Sequence, residues 1–396
     1  MTKRTGCAVV AGLTLGSAAM AQSSSLDQSR AYASELLSDA GPRTSSLAEG
    51  AKDFTVKVNG FTQFRYNVNY RKDDSLRDNL TTGFTNTRTK VGLSGNVGNE
   101  NWSYNVLFKF EDRGEGSAVL DDAYGTYKMG DGWKVMFGQF KTNLFREENM
   151  SDTAQLFANR SVNNSVFSQG RSQGIQLAYE ADKIQFFGAF TDGIKTNNTD
   201  YESPREADYA FTGRLNYKWA GDWKQSKDFT SFRGSEYFGM IGAGGNYQSG
   251  GDTVGSADIQ LWDGTIDVQI EGNGWNAFAA FTYQGSDVDG SNDTINDYGF
   301  VIQGGVFVSD NVELALGFNN VTPDGHPGRD DSMNTITLGA NYYVIPESHA
   351  VKFTVDFQYF LDKQDQGIAP ANTSTGLLSS ADDNQWNLRG QIQIMF

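Results

Sequence analysis

The chain has 396 residues, a formal net charge of −16, 38% hydrophobic and 13% aromatic residues, 45 glycines, 6 prolines and a single cysteine. This balance excludes a nucleic-acid binder, which needs Lys and Arg in excess at phosphates. It also excludes a helical membrane protein, because no run after residue 21 approaches the roughly 20 continuous apolar residues of a membrane helix.

A mean hydropathy of −0.49 suits one large all-β structure whose strands need apolar residues on one face only. The charge is unevenly spread. Residues 51–220 carry 21 basic and 21 acidic side chains, whereas residues 221–396 carry 7 basic and 23 acidic ones.

The first 21 residues read as an export signal: Lys3 and Arg4, a short apolar run from Ala8 to Leu15, and the small-x-small site Ala19-Met20-Ala21 before Gln22. Cys7 lies inside that signal, so the mature chain has no disulfide framework, thiolate nucleophile or cysteine metal site. Residues 22–52 form a separate, partly helical periplasmic segment. Ser25 and Gln28 make a capping box, Leu26, Ala33, Leu36 and Ala40 share one helical face, and Gly41-Pro42 ends the run. Two readings stay open for it, a tethered leader or a short helix associating around an oligomer axis.

From residue 53 to 396 the period is two. Phe54, Val56, Val58, Phe64, Tyr66, Val68 and Tyr70 share one face, and Lys57, Asn59, Gln63, Arg65, Asn67, Asn69 and Arg71 the other. The same split recurs in 102–110, 209–219, 265–271 and 351–359, where Arg214, Asp267 and Asp356 fall on the polar face. Such long strands keep those charges from costly burial only if the polar face is wet, as in a barrel with lipid outside and water within. Short turns at 98–100, 130–132, 272–274 and 309–311 alternate with long loops at 72–82, 286–296, 322–332 and 362–383. The pattern predicts a transmembrane antiparallel β-barrel of about 16 strands. The segment 220–236 has no clear period. The chain ends on a strand with Trp386, Leu388, Ile392, Ile394 and Phe396 on one face, similar to the terminal strand by which outer-membrane barrels are recognised for assembly.

The stretch Gly138-Gln139-Phe140-Lys141-Thr142-Asn143-Leu144-Phe145-Arg146-Glu147-Glu148 resembles the hallmark of the phosphate-selective porin O and P family, with Asn143 where that family usually has proline. Asn159-Arg160-Ser161-Val162-Asn163 through Phe167, then Gly170-Arg171-Ser172-Gln173-Gly174, is similar to the family's constriction region, and Asp122-Ala123-Tyr124 also fits. The resemblance runs from about residue 53 to the C-terminus. It implies a sixteen-stranded homotrimeric porin with an inward-folded loop near 143–174, passing small hydrophilic solutes and ions through the outer-membrane lipid, with an anion or phosphate preference. A barrel serving as surface adhesin or scaffold is the alternative, and complete plugging by that loop would mark it.

Lys141, Arg146, Arg160 and Arg171 match or flank the family motif, and Arg65, Arg88, Lys90 and Lys109 lie on the polar faces of nearby strands. Cations gathered at a constriction would attract anions and repel cations. The competing role is mechanical, pinning the inward loop to carboxylates such as Glu147 and Glu148. No cofactor is called for. Neither His326 nor His349 is placed as Ser–His–Asp chemistry would require. Asp287, Asp289 and Asp293 form a weak calcium-loop candidate that lacks the closing glutamate, so a solvated loop describes them better.

Overall fold

The computed structural model describes residues 54–72, 78–110, 117–203, 207–250, 259–288, 294–324, 332–363, 378 and 383–396. The export signal and helical segment expected over 1–52 lie outside the described residues. Sixteen strands follow in chain order: β1 Lys57–Tyr70, β2 Leu80–Val97, β3 Asn99–Phe110, β4 Ala118–Gly130, β5 Trp133–Lys141, β6 Arg171–Glu180, β7 Ile184–Thr191 and β8 Ala207–Ala220, then β9 Phe238–Gly250, β10 Ile259–Gly272, β11 Trp275–Val288, β12 Ile295–Phe307, β13 Val312–Thr322, β14 Met333–Tyr343, β15 Val351–Phe360 and β16 Trp386–Met395. Each strand pairs with its sequence neighbours, and β1 pairs with β16 to close a barrel. No described helix is long and apolar enough to cross a membrane.

The closing seam is antiparallel and runs from Phe61 opposite Met395 to Tyr70 opposite Trp386. At its end Gly60 and Phe396 exchange both backbone hydrogen bonds, at 2.8 and 3.0 Å. A Cβ at position 60 would lie 2.7 Å from the Phe396 ring and from the Lys90 carbonyl, so only glycine admits the terminal residue this closely. The aromatic terminus is thus part of the closure.

The period-two split places polar residues inside and apolar residues outside. Gln63 and Arg65 are fully buried while Phe64 between them is 42% exposed. Likewise Thr212, Arg214, Asn216 and Lys218 point inward while Phe211, Leu215, Tyr217 and Trp219 are exposed. Such a surface is stable only against hydrocarbon. Aromatic pairs flank the apolar band at both rims: Trp102 with Tyr127 at 4.5 Å and Trp133 with Tyr179 at 4.7 Å at the short-turn rim, Tyr70 with Trp386 at 5.8 Å and Tyr283 with Tyr298 at 5.2 Å at the long-loop rim. Amphipathic rings favour those interfacial levels.

Among the described residues, two connections carry apolar clusters into the lumen. Residues 142–170, between β5 and β6, descend from the long-loop rim as a single helical turn α1 (Arg146–Asn149), a 3-10 turn at Asp152–Ala154 and a short helix α2 (Val162–Phe167). Residues 221–237, between β8 and β9, enter from the other rim, although their sequence shows no strand period and the other described turns at that rim are short. The apolar core of the molecule sits around these two segments. Leu144, Phe145, Val162 and Phe167 bury against Val321, Met333 and Phe360. Met150, Ala154, Leu156 and Phe157 bury against Phe278, Val301, Ala315 and Phe229. A polar lumen receives this greasy flank through glycine: a Cβ at Gly317 or Gly339 would come within 2.9 Å of the Phe157 ring, and one at Gly244 within 2.9 Å of Leu144.

The lipid face yields the first prediction. Val355, 52% exposed on β15, replaced by Arg should lower folding stability in vesicles by roughly 2–4 kcal/mol, the cost of a cation near the midplane. Gln358→Arg, on the lumen side of the same strand, should cost clearly less, and equal losses in denaturant titration would contradict the assignment. The loop seat yields the second. Gly339→Val should cost roughly 1–3 kcal/mol by overpacking against Phe157, and adding Phe157→Ala should return part of that loss. Additive losses in the double variant would show that the two residues do not meet.

Candidate functional site: a cationic pocket beside the inward segment

The inward segment is braced by its own polar residues. The Ser161 hydroxyl caps α2 by accepting from the Asn164 amide at 3.0 Å. The Glu147 carboxylate accepts from the Ser161 amide at 2.7 Å and its hydroxyl at 2.6 Å. Glu148 accepts from the amides of Gln169 and Gly170 at 3.0 and 2.7 Å. Burial pushes the Glu147 carboxyl up, against the hydrogen bonds it accepts from Ser161. Both acids therefore serve the segment itself and not wall cations. Asn143, at the family's usual proline position, donates to the Gln176 side chain at 3.0 Å, a bond proline could not make.

The barrel wall grips the segment's backbone on several sides. Arg65 donates to the Ala158 carbonyl at 2.6 Å and to Asn159 at 3.1 Å. Lys352 donates to the Gln155 carbonyl at 2.9 Å, Arg214 to the Leu144 carbonyl at 2.7 Å, and Asp356 accepts from the Ala158 amide at 2.8 Å. Asp356 also binds Arg389 at 2.6 Å, and Arg214 binds Asp267 at 2.7 Å. Arg214 and Asp356 tolerate burial because each has an opposite charge and further hydrogen bonds, and Arg65 and Lys352 are held by carbonyl and amide oxygens.

On the side facing β2 to β6 the segment leaves a cavity of about 270 Å³. Six cations line it, Arg88, Lys90, Lys109, Lys141, Arg160 and Arg171, with three carboxylates, Asp121, Glu148 and Asp152. Asp152 is the knot between segment and wall. It meets Lys90 at 2.8 Å and Arg88 at 3.6 Å from the wall, and Arg160 from the segment. Lys90 continues to Asp121 at 2.7 Å, which binds Arg171 at 2.7 Å, which binds Asp122 at 2.7 Å. Burial alone would raise the Asp152 carboxyl, but Lys90, Arg160, Arg88 and Lys141 outweigh it and hold it well below the usual carboxylate range.

The structure thus gathers six of the eight cations expected from sequence. Arg65 does not line the cavity; it is a buried tether of Ala158 and Asn159, acceptors that Arg88 also reaches. Arg146 lies on the opposite wall, where it donates to Gln269 at 3.1 and 2.9 Å. Lys141 donates to the Glu148 carbonyl at 2.8 Å and Arg160 to the carbonyls of Glu147 and Met150. Position in the site and support of the segment therefore coincide in these side chains. Sequence reasoning missed Asp152, because a lone acid in a loop carries no periodic signal. It also missed that His349 is held: Nε2 lies 2.6 Å from the Asp228 carboxylate. Asp289, Asp293 and His326 lie outside the described residues. Asp287 ends β11 opposite Gln260, and among the described residues no cluster of His, Cys, Asp and Glu suits a metal ion.

Comparison with known proteins agrees with this geometry. The anion-selective porin from Comamonas acidovorans superposes with a TM-score of 0.61 at 10% identity, over 87% of this chain and 100% of that one. The outer membrane channel DcaP of Acinetobacter baumannii gives 0.59 at 14% identity, over 87% and 99%. The trimer form of OmpT from Vibrio cholerae gives 0.57 at 16% identity, over 87% and 100%. At these identities the likeness is one of fold. No curated protein matches the chain in sequence. The model of the family phosphate-selective porin O and P matches residues 56–378, most of the barrel. With its sixteen-stranded closure and its inward segment, the chain belongs to that family and is an outer-membrane channel.

Proposed function

We propose that this channel passes small hydrophilic solutes by passive diffusion with a modest preference for anions, set at the pocket beside Asp152. The observation that carries the reading is the excess of six cations over three carboxylates around one cavity flanking the inward segment. Fixed charge at a narrow, poorly screened point governs the permeation barrier more than charge at the rims. The preference is modest because Lys90, Arg160 and Arg171 each already face a carboxylate, which neutralises much of their field. A scaffold role would require the inward segment to seal the lumen, and the cavity beside it argues for passage. The barrel works as a homotrimer, a reading supported by the family and by the trimeric form of the OmpT relative. Residues 1–21 are removed on export, and the channel has no enzymatic role.

Lys109 lines the pocket from β3. Lys109→Glu should lower the chloride-to-potassium permeability ratio roughly two- to threefold, read as the reversal potential across a KCl gradient. An unchanged ratio would remove the pocket from the selectivity path. Phosphate block of chloride current saturating below about 1 mM, an affinity of roughly 4 kcal/mol or more, would replace modest preference by a specific binding site.

Asp152 supplies a pH test. Its folded carboxyl lies below the unfolded value of about 3.9. Its stabilisation is therefore complete above that value and is lost only as pH falls through the lower folded one. Asp152→Asn should destabilise the barrel by a similar amount at about pH 5 and about pH 7 in denaturant titrations, while raising the anion preference. A loss present at about pH 7 but absent at about pH 5 would mean that the carboxyl protonates between those values, above the ordinary range.

A further inference from the structure

The connection from β8 to β9, residues 221–237, lies at the periplasmic rim, where the neighbouring turns at 181–183 and 273–274 span three and two residues. Its central residues nonetheless bury: Phe229 is 1% exposed, and Ser226, Thr230 and Ser231 are also buried. The segment rises into the lumen far enough to touch the inward segment that comes from the opposite rim. The Phe229 amide donates to the Ala154 carbonyl at 3.4 Å, and its ring lies 4.7 Å from that of Phe278 on β11.

A series of polar contacts holds it there. The Asp228 carboxylate meets His349 at 2.6 Å, and its carbonyl accepts from Gln269 at 2.6 Å. Thr230 meets the Tyr343 hydroxyl at 3.0 Å, and Ser231 donates to the Gly272 carbonyl at 2.6 Å. The Phe232 ring lies against those of Phe307, Tyr343 and His349, at 5.4, 5.0 and 5.6 Å. Gly221 and Gly234, at φ +80 and +89°, turn the chain into and out of this position. All these partners belong to β10 to β14 or to the turns beside them, on the side that also seats the inward segment's apolar flank. The cationic pocket is lined from β2 to β6.

We infer that residues 225–233 form a second constriction, a periplasmic floor that closes the β10 to β14 half of the lumen. Solute leaving the cationic pocket is thereby confined to the wall of the early strands down to the periplasmic exit. The inference rests on the channel reading, and it assigns a permeation role to a segment that could otherwise be a mere prop beneath the inward segment.

Sized neutral polymers added to either side of a planar bilayer separate the two roles. The full-length wild type is compared with a variant lacking residues 225–232 and with Asp228→Asn combined with Phe229→Ala, which keeps the chain length. The deletion should raise single-channel conductance roughly twofold, as removal of one of two series restrictions would. It should admit larger polymers from the periplasmic side while leaving the outer-side cut-off, set by the inward segment, unchanged. The double substitution should move conductance in the same direction by a smaller factor, and it decides the matter if the deletion does not yield a heat-modifiable barrel. Unchanged conductance in a folded variant, or an equal shift of cut-off on both sides, would overturn the floor and leave a prop. A wild type that does not conduct would instead fail the channel reading itself.

Discussion

Hydrocarbon offers no partner to a backbone N–H or C=O, and the rest of this molecule depends on that constraint. A sheet that spans a bilayer must end on itself. Here β16 meets β1 over ten residue pairs, and the last residue of the chain completes the seam with both hydrogen bonds of Gly60. Closure commits one face of every strand to lipid and the other to an enclosed space. The alternation of apolar and polar residues follows from the geometry of a closed ladder, because consecutive side chains point to opposite sides.

Closure also decides where tertiary packing can occur. In a water-soluble domain the strands would bury their greasy faces against each other. Here those faces are taken by lipid, so packing is moved into the lumen and assigned to connections. The lumen wall is polar, and a loop that packs against it needs two kinds of contact. On one flank the segment 142–170 lays Leu144 and Phe157 over glycines, where the wall has no side chain to obstruct an apolar ring. On the other, Asp152 ties it to Lys90 and Arg88, and Arg65 and Lys352 hold its carbonyls. The apolar flank fixes which side of the lumen is filled, and the ionic flank lines the space that remains. Support of the loop and the charge lining the remaining space are therefore two consequences of the same side chains.

Much of this was legible in the sequence because lipid imposes a strict period. Strand faces, the alternation of short turns and long loops and the strand number all follow from residues two apart on one side of a sheet. The inward segment was recognisable only through its motif, since residues 142–170 have no period of their own. Six of the eight expected cations converge because they lie on adjacent strands or on the segment facing them. Arg146 departs because a single helical turn at Arg146–Asn149 directs it across the lumen to Gln269, and Arg65 departs because it lies on β1, outside the strands that line the cavity, with its guanidinium engaged by Ala158, Asn159 and Gln391. Neither turn nor reach is encoded in spacing. The segment 221–237 was illegible for a related reason: its buried residues Phe229, Thr230 and Ser231 answer to partners on distant strands and not to one another.

The charge of the chain teaches the opposite lesson from its strands. A net charge of −16 would suggest a pore that repels anions, yet the cavity by the inward segment carries more cations than carboxylates. The acids of the second half reach the lumen already engaged. Asp356 is bound by Arg389 and Asp267 by Arg214. Glu313 accepts from Asn276, Asn341 and Tyr343, and Asp263 from Gln169, Asn246 and Gln284. Charge in the loops at the rims acts through bulk electrolyte, where its field falls off within about 8 Å at physiological salt. A charge that a solute must pass at contact distance, with low-dielectric wall behind it, is not attenuated in that way. What the pore presents to a solute is accordingly set by the few residues of its narrowest wall, and the sum over the sequence says little about it.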